Sequence, residues 1–150
     1  MKNLKRVFVV LLVAVLSSCT ITRGVVDFKA VGKTVVVENT SREELFDRAN
    51  VWIVHTFKDP NGMVKWSNGE QGTIISKYPL VTTSSYSSYT TEVTLEIYIV
   101  DNKARIRIEP ESITYTNNSY NDFADKAKNI DEYMIRIVES FEKWVKTKQL

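Results

Sequence analysis

The side chains best suited to nucleophilic or metal chemistry are rare in this 150-residue sequence, which contains one cysteine, Cys19, and one histidine, His55. A zinc site needs several cysteine or histidine ligands. Nucleophile elbows of the G-x-S-x-G type, phosphate-binding glycine loops and calcium loops do not occur in the sequence. We therefore expect no metal and no cofactor, and we interpret His55 as a structural residue on a helix.

Glu109 and Glu111, which flank Pro110, form the carboxylate pair best placed for acid–base chemistry. Alternate residues of a strand point to the same face, so the two carboxyls could serve as acid and base in a cell-wall glycoside hydrolase. A solvated sheet edge explains the same pattern without catalysis. We favour that interpretation and expect that the protein is not an enzyme.

Cys19 closes a segment with the three parts of an export signal. The first residues are basic, with Lys2, Lys5 and Arg6, and the apolar run Val7–Leu16 follows them. Small residues then precede the cysteine, as in a secretory signal peptide. A run of this length is too short to span a bilayer, which needs about 20 apolar residues.

The motif Leu16-Ser17-Ser18-Cys19 resembles the lipobox of bacterial lipoproteins. The resemblance implies cleavage after Ser18, a diacylglyceryl thioether on Cys19 and acylation of the new amine, and several acyl chains give stable anchoring. We expect a signal peptide at 1–18, a lipidated tether at 19–32, which could include a short strand at Val25–Val31, and one domain at 33–150. Because Thr20 rather than aspartate follows the cysteine, we expect the outer membrane, and because no acidic cluster follows, we expect the domain to face the periplasm.

The signal segment also carries the excess positive charge. The full chain has 20 basic and 18 acidic residues, and removal of Lys2, Lys5 and Arg6 leaves 17 against 18. Nucleic-acid binding through a basic surface is therefore not expected. Because the only cysteine is the lipidation site, the exported domain has no disulfide and depends on its core.

The first predicted elements are a strand at Lys33–Glu38 and a helix after it. Either Ser41 with Glu44 or Thr40 with Glu43 can form the capping box. The spacing of apolar residues predicts one buried helix face, and Asp59-Pro60-Asn61-Gly62 ends the helix. That face comprises Leu45, Phe46, Ala49, Trp52, Ile53, Thr56 and Phe57.

Two hairpins follow. The first joins Met63–Ser67 to Thr73–Tyr78 around Asn68-Gly69, with its register left open by Gly72. The second joins Tyr89–Val100 to Lys103–Tyr115 through a two-residue turn at Asp101-Asn102. That turn predicts the pairs Val100 with Lys103, Ile99 with Ala104, Tyr98 with Arg105, Ile97 with Ile106, and Glu96 with Arg107, so that apolar residues share one face.

A final helix of about 26 residues, begun by Asn121 or Asp122, is predicted from apolar residues at helical spacing. Its buried stripe comprises Phe123, Ala127, Ile130, Met134, Ile137, Val138, Phe141 and Val145. The element order β-α-β-β-β-β-α predicts an α+β fold in which both helices pack on one face of an antiparallel sheet of about five strands.

Two surfaces are candidates for binding. Tyr86 and Tyr89 lie in the hydroxyl-rich segment Thr82–Thr91, and Tyr98, Arg105 and Arg107 lie on the predicted polar sheet face. Either could contact an envelope protein or a glycan. The segment Thr82–Thr91 could instead be a disordered loop, and Glu96 could neutralise the arginines of the sheet face. A different function is also open, that of a carrier that holds a small apolar ligand between sheet and helix.

The region from Thr34 to about Tyr115 resembles domain-of-unknown-function family 4468, which occurs mainly in exported proteins and lipoproteins of Bacteroidota. The matching segments are VVVE, SREELFDRANVWIVHTFKDP, GTII and VTLEIYIVDNKARIRI, in which Trp52-Ile53 followed by Phe57 and Lys58 is the most specific part. The resemblance implies a fold like that of the TATA-binding protein. It implies no activity, because fold alone does not carry function.

Labelled palmitate tests the lipidation site. We expect the label to enter the wild-type protein in bacterial cells and to be absent from the Cys19→Ser variant, because the thioether needs the thiol of Cys19. Equal labelling of the two proteins, or none in the wild type, would contradict the assignment.

Overall fold

The computed structural model describes residues 23–26, 28–57, 63–83, 88–111, 113–116 and 120–147. Seven strands and two helices lie within these ranges. They are, in chain order, β1 (Arg23–Val26), β2 (Val31–Val36), α1 (Arg42–Thr56), β3 (Val64–Asn68), β4 (Thr73–Thr83), β5 (Ser88–Val100), β6 (Lys103–Pro110), β7 (Ile113–Thr116) and α2 (Tyr120–Lys146). Strands β2 to β6 form an antiparallel sheet in the order β2-β6-β5-β4-β3, which confirms the predicted α+β architecture.

The hairpin β5–β6 forms the centre of the sheet. Its register agrees with the sequence prediction in all five pairs, from Val100 opposite Lys103 to Glu96 opposite Arg107. Ile97 and Ile106 are completely buried opposite each other. A shift by one residue would turn this apolar row to solvent, so burial of one face determines the register.

Both helices pack on this apolar side of the sheet. Helix α1 contacts β5 and β6, and α2 contacts β2 and β6 as well as α1. The buried apolar side chains of α2 repeat at helical spacing, as predicted, and close the core. In the described part of α2 they are Ile130, Met134, Ile137, Val138, Phe141 and Val145.

Ser41 is the N-cap of α1, and its hydroxyl accepts a hydrogen bond from the Glu44 backbone N–H at 3.2 Å. The cap is therefore Ser41 rather than Thr40, whose own backbone N–H donates to Asn102. The Glu44 carboxylate does not complete a capping box. It accepts a hydrogen bond from Arg48 one turn later.

Arg48 connects the two helices. Its side chain is buried and donates to the Val145 carbonyl at 2.6 Å and to Glu44 Oε1 at 2.5 Å. The guanidinium thus satisfies a carbonyl in the last turn of α2, where the helix dipole favours a positive charge. Nearby, the completely buried Trp52 packs edge-on against Phe141 with ring centroids 5.0 Å apart.

The first hairpin pairs Asn68 with Thr73, so its loop comprises residues 69–72. Gly72 has a φ of +63°, and a Cβ there would lie 2.1 Å from the Ile99 carbonyl oxygen. Only glycine fits so close to the Ile99 carbonyl. In addition, the Ile99 N–H donates a hydrogen bond to the Gly72 carbonyl at 2.7 Å. Gly72, rather than the Asn-Gly pair alone, therefore determines the loop.

The sheet divides into two ribbons beyond Pro110. One is the continuation of β4 and β5, which stay paired as far as Thr83 opposite Ser88. The other is β1 with β7, which resumes the β2–β6 ladder in the same register, since Val31 faces Ile108 and Val26 faces Ile113. Proline has no N–H to donate to a ladder, which suits its position at this division.

This forked end differs from the sequence expectation. The strand predicted at Lys103–Tyr115 is two strands, and β1 and the start of β2 lie within the segment 19–32 that we expected to be a tether. The predicted strand at Val25–Val31 is displaced, because β1 ends at Val26 and β2 begins at Val31. The helix stop at 59–62 falls outside the described residues.

Substitution of adjacent residues on β6 tests the two-faced sheet. Ile106→Ala is expected to lower the free energy of unfolding by about 2–5 kcal/mol, because Ile106 is completely buried. Arg105→Ala, one residue away on the solvent side, is expected to change it by less than about 0.5 kcal/mol. Urea unfolding measures both values, and similar losses for the two variants would contradict the assignment of faces.

Candidate functional site

The solvent-facing side of the sheet, which we call the outer face, is polar at its centre. On β5 it presents Glu96 and Tyr98, and on β6 it presents Arg105 and Arg107. These residues alternate with the buried isoleucines because successive side chains of a strand point to opposite faces. The register that fills the core therefore also places these groups side by side.

A groove of about 290 Å³ lies on the outer face where β2 pairs with β6. Arg105 lies opposite Thr34, and Arg107 lies opposite Gly32. A Cβ at Gly32 would approach the Ile106 carbonyl oxygen to 2.8 Å, so glycine allows the two strands to come together here. The groove is lined by Ala30, Gly32, Lys33, Thr34, Arg105 and Arg107.

The two arginines differ in their ionic partners. Arg107 binds the Glu96 carboxylate at 3.3 Å and the Glu109 carboxylate at 2.7 Å. Arg105 is exposed and has no carboxylate within ion-pair distance in the described part of the chain. The prediction that Glu96 neutralises a charge of this face is thus confirmed for Arg107, whereas Arg105 retains its donors for another anion.

Exposed aromatic side chains extend the outer face away from the groove. Tyr98 lies directly opposite Arg105 in the ladder and is 43% exposed. Trp66 on β3 is also 43% exposed, and its register partner Ile75 lies opposite Glu96. Flat apolar rings beside a guanidinium suit a ligand that is both anionic and apolar.

The two predicted binding surfaces are not brought together. Tyr89 lies in β5 opposite Thr82, whereas Tyr98 lies opposite Thr73, nine residues further along the strand. At 3.3 Å per residue the two positions are about 30 Å apart. Tyr86, like the lipidation motif Leu16-Ser17-Ser18-Cys19, lies outside the residues that the structure describes.

Glu109 and Glu111 bind different cations. Glu109 pairs with Arg107, and Glu111 pairs with Lys77 at 2.9 Å. Because of these contacts the pKa of Lys77 is raised, chiefly by its hydrogen bond to Glu111. Neither carboxylate lines the groove, so this arrangement offers less support to a hydrolase than the sequence spacing did.

His55 is exposed on α1 and lies against Trp144 of α2 with ring centroids 5.0 Å apart. This contact accounts for the residue structurally. Across the ranges that the structure describes, no group of three or more His, Cys, Asp or Glu side chains is arranged to hold a metal ion. No described helix is both long enough and apolar enough to cross a bilayer.

Sequence reasoning missed a second groove, of about 330 Å³, between the start of α1 and the 69–72 loop. The Arg42 side chain spans it, donating to the Glu70 carbonyl at 2.7 Å and to the Glu43 carboxylate at 3.1 Å. The pKa of Glu43 is lowered, chiefly by a hydrogen bond from its own backbone N–H and further by the Arg42 guanidinium. The groove unites residues that are far apart in sequence, so local patterns gave no signal for it.

Two polar atoms on the core side of β4, the Ser76 hydroxyl and the Tyr78 hydroxyl, have no hydrogen-bond partner among the residues that the structure describes. Burial raises the pKa of Tyr78 well above its usual value. A carrier for a small ligand would need a cavity beside these groups. The two grooves formed by described residues lie elsewhere on the molecule, one on the outer face and one at the start of α1.

An antiparallel sheet with both helices on one face and a polar opposite face defines a two-layer α+β protein. The chain belongs to the family described as a domain of unknown function (DUF4468) with TBP-like fold, whose pattern its residues 32–116 match. The suspected family is thereby confirmed. No curated protein matches the sequence.

Two solved structures share the fold. A DUF4468 family protein from Bacteroides ovatus has 12% sequence identity and a TM-score of 0.59, over 79% of this chain and 86% of that chain. A TBP-like protein from Parabacteroides distasonis has 15% identity and a TM-score of 0.55, over 75% of this chain and 92% of that chain. At such identities the likeness establishes the fold alone.

Tyr78→Phe tests whether the buried hydroxyl lacks a partner. We expect the variant to be about 1 kcal/mol more stable at pH 7, since it removes an unsatisfied buried group. The raised pKa makes the wild type lose stability as pH increases above about 10, the value in the unfolded chain, and the variant should lose less. Urea unfolding at pH 7 and at alkaline pH measures both effects, and a marked destabilisation at pH 7 would reveal a ligand or water on the hydroxyl.

Proposed function

We propose that this protein is a lipid-anchored, non-catalytic binding module of the bacterial cell envelope, and that its outer face binds an acidic segment of a partner protein. The observation that carries the proposal is the exposed guanidinium of Arg105. It lines a groove, and the described residues offer it no carboxylate.

Arginine suits this role because its planar fork of donors binds a carboxylate with two parallel hydrogen bonds. Thr34, opposite Arg105 in the ladder, adds a hydroxyl within the same groove. Tyr98, opposite Arg105 on the other strand, offers an apolar ring to the rest of the ligand. Charge, a polar donor and an aromatic surface therefore lie in one row across three strands.

Arg107 contributes less to binding than Arg105. Glu96 and Glu109 already occupy its donors, so an incoming carboxylate would have to displace one of them. The register of β2 and β6 places Arg107 opposite Gly32 in the groove. Arg105 is accordingly the residue whose replacement discriminates binding from folding.

The anchor is the second part of the proposal. The lipobox-like motif ending at Cys19 supports export and lipidation, and Thr20 in place of aspartate supports the outer membrane. The lack of an acidic cluster after Cys19 supports a domain that faces the periplasm. A net charge near zero after signal cleavage disfavours nucleic acid as the partner.

An acidic glycan is the second candidate ligand, because Tyr98 and Trp66 provide exposed rings on the face that holds Arg105. Sugar rings stack on aromatic faces, and a uronic acid carries the carboxylate that Arg105 would bind. The apolar-ligand carrier has weaker support, because the two grooves formed by described residues lie outside the core. The cell-wall hydrolase has weaker support because Glu109 and Glu111 bind separate cations.

Photo-crosslinking in intact cells tests the outer face. A photoreactive amino acid in place of the exposed Val36, next to the Arg105 row, is expected to capture a protein. Arg105→Glu should reduce the yield about tenfold or more, because a hydrogen bond to a charged group contributes about 1.5–3 kcal/mol.

Lys143→Glu is the matched control, since it makes the same charge change on an exposed residue of α2. It should leave the yield unchanged. Equal effects of the two variants, or a purified protein that captures nothing yet turns over a cell-wall substrate, would refute the proposal. Capture that is abolished by glycosidase treatment would assign the face to a glycan instead.

A further inference from the structure

The start of β1 lies very close to the proposed lipid anchor. Only residues 20–22 separate Cys19 from Arg23, the first residue of β1. A fully extended chain spans at most about 3.6 Å per residue, so Arg23 lies within about 15 Å of the lipidated residue. A bilayer of about 40–45 Å contains a hydrocarbon core of about 30 Å, so each headgroup layer is about 5–8 Å thick and the tether spans at most about two to three times that thickness.

Three elements meet at this forked end of the sheet. Strand β1 begins there opposite Thr116, the last residue of β7, and α2 begins at Tyr120 shortly after that strand. The β4–β5 ribbon also extends beyond Pro110. Val93 lies opposite Pro110, and from there β4 and β5 stay paired as far as Thr83 and Ser88. The Glu111 N–H donates to the Glu92 carbonyl at 2.7 Å and joins the two ribbons where they separate.

Three of the seven tyrosines occupy backbone positions near the same end. Tyr89, Tyr115 and Tyr120 belong to β5, β7 and α2, where these elements reach the forked end. Tyrosine is enriched at membrane–water interfaces because its ring is apolar and its hydroxyl is hydrated. These positions are a second observation, independent of the tether length, that is consistent with a lipid surface.

We infer that the forked end of the sheet docks on the bilayer that holds Cys19, with the start of β1 and the adjoining ends of β5, β7 and α2 nearest the headgroups. The inference rests on the lipid anchor of the proposed function. It makes the domain stand with its strands directed away from the membrane. Thr34, which lies opposite Arg105, follows Arg23 by eleven residues. At 3.3 Å per residue, Arg105 and the groove then lie up to about 36 Å from Arg23.

Two exposed valines on the outer face provide matched reporters. Val81 lies opposite Thr90 near the forked end and is 55% exposed, whereas Val100 lies at the other end of β5 and is 57% exposed. Ten residues of β5 separate the Thr90 row from Val100, or about 33 Å. Because Cys19 carries the lipid, Val81→Cys and Val100→Cys each introduce one free thiol for a fluorescent label.

The labelled, lipidated proteins are incorporated into vesicles of phosphatidylethanolamine and phosphatidylglycerol that carry a nitroxide quencher on a headgroup. We expect quenching at position 81 to be several-fold stronger than at position 100. Equal strong quenching would mean that the domain lies flat on its outer face, and equal weak quenching or stronger quenching at position 100 would mean that another surface faces the bilayer. Each of these results would overturn the inference.

Two further measurements separate this inference from the proposed function. The mass of the purified protein reports acylation of Cys19, and its absence would remove the anchor and the orientation together. Crosslinking of a partner through Arg105 is measured with a different reporter, at position 36. Partner binding can therefore be observed even when the inferred orientation on the membrane is wrong. Conversely, a correct orientation without Arg105-dependent capture would leave the docking of the forked end intact.

Discussion

A single register between β5 and β6 places Ile97 against Ile106 and Ile99 against Ala104, and the other elements pack on the apolar row that this pairing creates. Side chains of a strand alternate between faces, so the same register exposes Tyr98 and Arg105 on the opposite side. The core and the candidate binding face are therefore two consequences of one pairing. Any change in that pairing would alter both.

The helix layer is held to the sheet by burial and to itself by a few directed contacts. Arg48 donates to the Val145 carbonyl at the end of α2, and the Trp52 indole donates to the Ser140 hydroxyl at 3.2 Å. Lys33 at the β2 edge pairs with Glu142 of α2, and together with Lys146 it lowers the pKa of Glu142. An inward-directed lysine also protects an edge strand against pairing with another sheet. Neither α1 nor α2 packs on the outer face.

The two ends of the sheet have different characters. The forked end combines the start of β1, two separating ribbons and tyrosine positions, whereas the opposite end holds the Asp101-Asn102 turn and the N-terminus of α1. Asp101 accepts a hydrogen bond from the Arg42 N–H, so turn and helix stabilise each other. In the proposed orientation, the Asp101-Asn102 turn and the groove beside Arg105 lie away from the membrane. The proposed anchor and the candidate binding face would then occupy separate regions of one small domain.

The sequence by itself determined the elements whose information is local. The β5–β6 hairpin could be predicted because alternating apolar residues and a two-residue turn leave one pairing that buries every isoleucine of these two strands. The N-cap of α1 could be limited to Thr40 or Ser41 because capping acts within one helical turn. Tertiary structure alone decided the pairing of β1 with β7, the contact between Arg48 and Val145 across 97 residues, and the groove between β2 and β6. Residues so distant in sequence meet only when the whole core closes, because their contacts depend on packing that no local pattern records.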